Sequence, residues 1–346
     1  MKRMLILVAI VSLVAGSLFA EEAILIDFSK LVADIRVPVG PNDNESTPNQ
    51  NRATMMDYSG IRFGGSFTEE QRKVMRTSLA IENWEILLAS SSRTVSNMVL
   101  SYTRESASKQ WGTVMGVRIH FPLENFNSWA IIKPPFEIPA FEPQADVQDD
   151  GTIEPSGDGN GITGPSRFED GFGVVKNVGT IKSIAVNVYG LNFPHGLSTL
   201  VIDGISGTQK SMFMGYLTFD GWGELRWDNP AYVQEVRNRD LRLYPLYPES
   251  TPFIKFAGFE IKRDASRTGG DFVTYFKDVK VIYDKAVLDT DRDIDDENIW
   301  HIIQDRETAR KVWEMERFGQ NQVLRYLDIQ KQATERTFTP TPTTDQ

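Results

Sequence analysis

Two carboxylates stand beside two tryptophans in FDGWGELRWDNPAYV, residues 219–233: Glu224 and Asp228, next to Trp222 and Trp227. Paired acids near aromatic rings suit glycoside hydrolysis, in which one carboxyl donates a proton and the other attacks or activates water. Side chains alternate along a strand. A strand over 219–227 therefore sends Phe219, Leu225 and Trp227 to one face and Trp222, Glu224 and Arg226 to the other. The first set reads as core, the second as a wet, charged surface carrying one aromatic ring. That alternation counts against both acids acting from one face, and so against a catalytic cleft. It marks Trp222, Glu224 and Arg226 as candidate contact residues.

Other reactive side chains are sparse. The three histidines, His120, His195 and His301, are far apart and none falls in a metal-ligand spacing. His195 sits between Pro194 and Gly196, which is turn chemistry first. No serine lies in a G-x-S-x-G elbow, and no Gly-rich phosphate loop follows a strand. Asp289, Asp291 and Asp293 resemble the start of a calcium loop. Ile294 then stands where the sharp turn needs Gly, and Trp300 where a bidentate Glu belongs, so the acids read as a lead-in to a helix. Asp158, Asn160 and Gly161 are a weaker calcium candidate. There is no cysteine, hence no disulfide, thiol nucleophile or thiolate site. No catalytic, cofactor-binding or metal-binding residue is assigned.

The elements that must position these side chains are mainly strands. Lys2 and Arg3, an apolar run from Met4 to Ala15 and small residues ending at Ala20 have the layout of a secretory signal peptide over 1–20. Without Lys2 and Arg3 the chain carries 35 basic and 47 acidic residues, a net −12, which argues against nucleic acid and against an anionic membrane surface. No later run is long and apolar enough for membrane insertion. Residues 23–36 mix a short strand-like opening with helix-like spacing, and 38–53 read as loop. From Trp84 onward, short runs rich in β-branched and aromatic residues recur between turn signals, the pattern of a β-sandwich or jelly roll over 21–290. Residues 142–166 hold acids, Gly and Pro with no Lys or Arg, and read as a flexible acidic insertion.

From 291 to 336 the spacing turns helical. A helix from Ile299 to Ile329 would be about 46 Å long. It either lays Ile302, Ile303, Val312 and Trp313 into a neighbouring subunit or folds back onto its own sandwich. The Thr/Pro-rich residues 337–346 read as a disordered tail.

Four phrases taken together carry a family resemblance: EEAILIDFSKLVAD, YGLNFPHGLSTLVID, GYLTFDGWGELRWDNPAYV and FAGFEIKRDASRTGGDFVTYFKDVKVIYD. With the signal peptide, they resemble the spirochaete flagellar filament outer-layer (sheath) proteins, the FlaA family. The resemblance implies an exported, non-enzymatic coat protein on the periplasmic flagellum, with the flagellin core and neighbouring sheath subunits (copies or paralogues) as partners and no cofactor. The last of these phrases ends similarly to the closing strand of galactose-binding-like jelly rolls. The alternative is a periplasmic carbohydrate-binding β-sandwich module.

Overall fold

The structure is a computed structural model, describing residues 20–32, 54–57, 76–142, 145–147, 153–155, 166–204, 206–238, 242–243, 251–267, 269–288, 293–294 and 296–338. The signal-peptide residues up to 19, the loop at 38–53, the acids Asp289 and Asp291, the candidates Asp158, Asn160 and Gly161, and the tail from 339 lie outside the described residues.

Among the described residues, twelve strands build two antiparallel sheets: β1 (Glu21–Asp27), β2 (Glu85–Leu88), β3 (Tyr102–Ser108), β4 (Gly112–Phe121), β5 (Ser128–Lys133), β6 (Val174–Lys176), β7 (Val178–Leu191), β8 (Gly196–Asp203), β9 (Gln209–Tyr216), β10 (Asp220–Asp228), β11 (Phe253–Arg263) and β12 (Gly270–Lys285). Sheet one runs β10-β7-β12-β4-β3, with β1 on the far half of β12. Sheet two runs β9-β8-β11-β5-β2, with β6 on the first residues of β11. The chain is mainly β, a sandwich with a C-terminal helical segment. Within 23–32, the described part of that stretch, the strand wins: β1 is followed by one 3-10 turn, Phe28–Lys30, because Leu25, Ile26 and Phe28 are all fully buried. Inside 142–166, a short hairpin joins Ala145–Val147 to Ile153–Pro155.

The core lies between the sheets and is rich in phenylalanine. Phe259 of β11 stacks on Phe276 of β12, 4.1 Å between centroids and 11° between planes, joining the sheets ring to ring. Phe28 and Trp84 meet edge-to-face at 5.3 Å beside Phe256, and Trp84 Nε1 donates to Leu79 O at 2.9 Å. Such pairs add about 0.5–1.5 kcal/mol each beyond the area they bury. At the β11 bulge, Gly258 takes φ +137°, and a Cβ there would stand 2.2 Å from Ile132 O. Only glycine lets β5 approach this closely.

The α-helices among the described residues follow the chain in order: α1 (Val95–Leu100), α2 (Tyr232–Asn238), α3 (Asp296–Trp300) and α4 (Ile302–Phe338). The single helix expected from Ile299 breaks at His301, which adopts φ +51°. That left-handed conformation is costly for a non-glycine residue and interrupts the helical ladder between α3 and α4.

Candidate functional site

Strand β10 places Leu225 and Trp227 half-buried against the core, while Glu224 and Arg226 are exposed. Trp222 lies on their face and is half-buried, because it leans on two other rings. Tyr189 of β7 is 5.4 Å away at 78°, and Trp111 from the β3–β4 turn is 6.4 Å away at 79°. Alternation also puts Glu224 and Asp228 on one face, contrary to the expectation that it would separate them. Four residues of strand nonetheless hold them about 13 Å apart, wider than either glycosidase geometry. Arg226 Nε holds Asp228 Oδ1 at 2.8 Å.

His195 is no turn ornament. Only 3% exposed, it packs among Phe121, Phe193 and Phe272, the last at 4.7 Å. Neither ring nitrogen finds a hydrogen-bond partner among the described residues. Burial and then the nearby Arg263 guanidinium lower its pKa to about 4, so the ring is neutral and serves as an aromatic core element. His120 sits elsewhere: its Nδ1 is 2.8 Å from Asp271 Oδ1, with Arg118 Nη2 at 2.9 Å from Oδ2. Those two hydrogen bonds, Arg118's first, hold the Asp271 carboxyl below the usual range. No group of three metal-ligating side chains occurs among the described residues.

The C-terminal candidates are split by the structure. Ile303 is buried and Ile302 half-buried, whereas Val312 and Trp313 are 54% and 56% exposed. Nine residues at 3.6 per turn make two and a half turns, so Val312 lands opposite Ile303. The four residues therefore do not form one face. The inner face of α4 lies on its own sandwich through Ile303, Phe318 and Val323, with Phe318 edge-to-face on Phe136 at 5.2 Å.

Charge fixes the helix in register. Lys255 points from the outer side of β11 and meets Glu314 at 2.7 Å, both nearly excluded from solvent. Glu314 Oε2 also accepts from Ala140 N at 2.8 Å, and Arg317 pairs with Glu137 at 2.6 Å. Gln322 Nε2 donates to Pro135 O at 2.8 Å. The hint lay in FIKFAGFEIKR, where one lysine stands in an otherwise buried position; its partner 59 residues on was not legible. Outward-facing Trp313, Leu324 and Leu327 remain exposed. Beside the helix, β2 and β3 open a cleft of about 710 Å³ lined by Glu85, Tyr102, Lys133 and Arg325.

The architecture thus offers exposed faces and a self-anchored helix. Known proteins of similar sequence decide the family. The family model described as "Flagellar filament outer layer protein Flaa" matches residues 47–292. The chain belongs to the flagellar filament outer layer protein family. A family member of that name from Treponema pallidum (strain Nichols) is 48% identical over 98% of this chain and 97% of its own length. That from Spirochaeta aurantia is 47% identical over 92% and 90%, and that from Borreliella burgdorferi 30% over 88% and 82%. Among solved structures, a carbohydrate-binding module of the β-sandwich superfamily is similar over 64% of this chain and 63% of its own at TM-score 0.30 and 9% identity. A family 11 carbohydrate-binding module from Clostridium thermocellum is similar over 66% and 94% at TM-score 0.25 and 10% identity. Scores that low say nothing of ligand or partner.

Proposed function

We propose that the protein is a structural component of the flagellar filament outer layer, coating a flagellin core. The observation that supports this most strongly is near-full-length identity of 47–48% to two proteins named for that layer. The geometry agrees with a role that needs surfaces rather than turnover. The acids at Glu224 and Asp228 are too far apart for glycosidase chemistry, and His195 is locked in the core. The protein works without catalysis, and no substrate should turn over.

The signal-peptide layout over 1–20 supports export to the periplasm, with the mature chain starting at Glu21 where β1 begins. Residues 21–290 form the coat's sandwich, with 142–166 as its acidic insertion. Residues 291–336 form the helical segment, which runs on to Phe338, and the rest of 337–346 forms the tail. Two exposed surfaces are available for the core filament and for neighbouring subunits: the outer face of β10 at Trp222, Glu224 and Arg226, and the outer stripe of α4 at Val312 and Trp313. Ile302 and Ile303 hold that stripe in place from beneath. Copurification tests the role. Filaments sheared from cells and washed should carry the chain at a fixed ratio to flagellin. A chain found only in the unbound fraction would rule the coating role out.

A further inference from the structure

Helix α4 crosses sheet two strand by strand. Arg310 Nη2 donates to Gly204 O, just past β8, at 3.4 Å. Glu314 meets Lys255 of β11 at 2.7 Å. Gln322 and Arg325 donate to Pro135 O, just past β5, at 2.8 and 2.6 Å. Arg325 also reaches Glu85 of β2 at 2.6 Å. Sheet two ends at β2, but the helix runs on to Phe338. Residues 326–338 add about 20 Å of helix, roughly four strand spacings past the last strand. One end of α4 therefore overhangs the sheet that anchors the rest. Helices in water are held by packing more than by propensity, so an overhang of this length calls for a surface to lie on.

The cleft of about 710 Å³ runs along this same end. Leu324 and Asp328 of α4 line one side of it, and Glu82, Leu87, Arg93 and Met98 are among the other lining residues. A helix about 10 Å across fills roughly 700 Å³ over six residues, so the cleft has room for more than half of a ten-residue helical end. Charge matches as well. Glu85 is engaged by Lys133 and Arg325, and Glu137 by Lys255 and Arg317. The lining then has Glu82 and Asp328 against Arg93, an excess of one negative charge. Residues 329–338, IQKQATERTF, carry Lys331 and Arg336 against Glu335, an excess of one positive charge.

We infer that the end of α4, residues 329–338, seats in the cleft of a second copy of this chain, and that the two copies exchange ends about a two-fold axis. The exchange is reciprocal because each overhang leaves its own body beside its own cleft, so one self-complementary patch serves both copies. The two helix ends then run antiparallel. An axis between Ile329 and Gln330 sets Asp328 of one copy opposite Lys331 of the other, twice. Leu324 and Leu327, 55% and 45% exposed in the single chain, are covered in the pair. This contact is separate from the β10 face and from the Val312–Trp313 stripe. Read as the join between coat subunits, it rests on the proposed coating role.

Sedimentation velocity of the full chain over a range of concentrations tests it. A monomer–dimer equilibrium is expected. Lys331→Glu and Asp328→Lys each set like charges across the axis and should weaken dimerisation about tenfold or more. The two changes combined in one chain should restore it. A chain that stays monomeric at every concentration would overturn the inference. So would a dimer that neither variant weakens, or a chain that grows past the dimer. Should either variant lose its circular dichroism signal, Gln330→Cys replaces them. The chain has no cysteine of its own, and a thiol beside the axis should give a disulfide-linked dimer on oxidation; monomer alone would overturn the pairing. No flagellin is present in these measurements. A dimer that is absent from filaments would keep the pairing and rule out the coat, whereas washed filaments carrying a chain that never dimerises would do the reverse.

Discussion

Buried titratable residues tie the stability of this protein to charge in two different ways. Lys255 and Glu314 are both buried, and among the described residues they are satisfied by one another, by Ala140 N and by Glu137. Removing one partner strands a buried charge, so Glu314→Ala should cost roughly 3–5 kcal/mol in denaturant unfolding. A Lys255→Met, Glu314→Leu double variant should recover most of that loss, and equal losses in single and double variants would mean that helix packing, not charge, is what matters. His195 acts through protons. Its folded pKa of about 4 lies below the ordinary 6.5, so the native state binds fewer protons than the unfolded chain. Its contribution is complete above pH 6.5 and is lost as pH falls from 6.5 through about 4, up to ~3 kcal/mol. His195→Phe, which keeps a ring among Phe121, Phe193 and Phe272, should flatten the stability profile over that window. An unchanged pH profile in the variant would assign the acid sensitivity to other groups.

At the scale of elements, alternation and periodicity were legible and long-range pairing was not. Leu225 and Trp227 inward against Glu224 and Arg226 outward follow from a period of two. The helical segment follows from the spacing of Ile302, Ile303, Val312 and Trp313, although the face it buries runs instead through Ile303, Phe318 and Val323. What the spacing left undecided was which neighbour α4 packs against, because that rests on Lys255 and Pro135, far back in the chain. It also hid the break at His301, a backbone state that no propensity signals. The packing makes an opposite pair of predictions for the helix. Deleting 295–346 should uncover Phe136, Phe141 and Phe253 and lower the melting temperature, rather than yield a well-folded chain that merely fails to assemble. Trp313→Ser removes an exposed ring whose structured neighbour is the Arg317 guanidinium, 5.4 Å from its centroid, so stability should fall by no more than about 1 kcal/mol while attachment to filaments weakens. A Trp313→Ser protein that coats normally would remove the α4 stripe from the contact surfaces.

For the whole molecule, two sheets joined by phenylalanine stacking form one sandwich, and the helix lies on sheet two through Lys255–Glu314, away from the outer face of sheet one. A coat subunit needs such a body: stable without disulfides, and presenting separate faces to the core and to its neighbours. The sandwich was legible from strand spacing and turns, and the family from four phrases spread along the chain. The cleft beside α4 was not, because Glu85, Tyr102 and Arg325 meet only in the folded chain. The most direct measurement of the coating role is filament diameter by electron cryomicroscopy in cells lacking this chain and in cells complemented with it. Coating predicts thinner filaments in its absence, restored by the wild-type chain. Filaments of the same diameter with and without it would contradict the role.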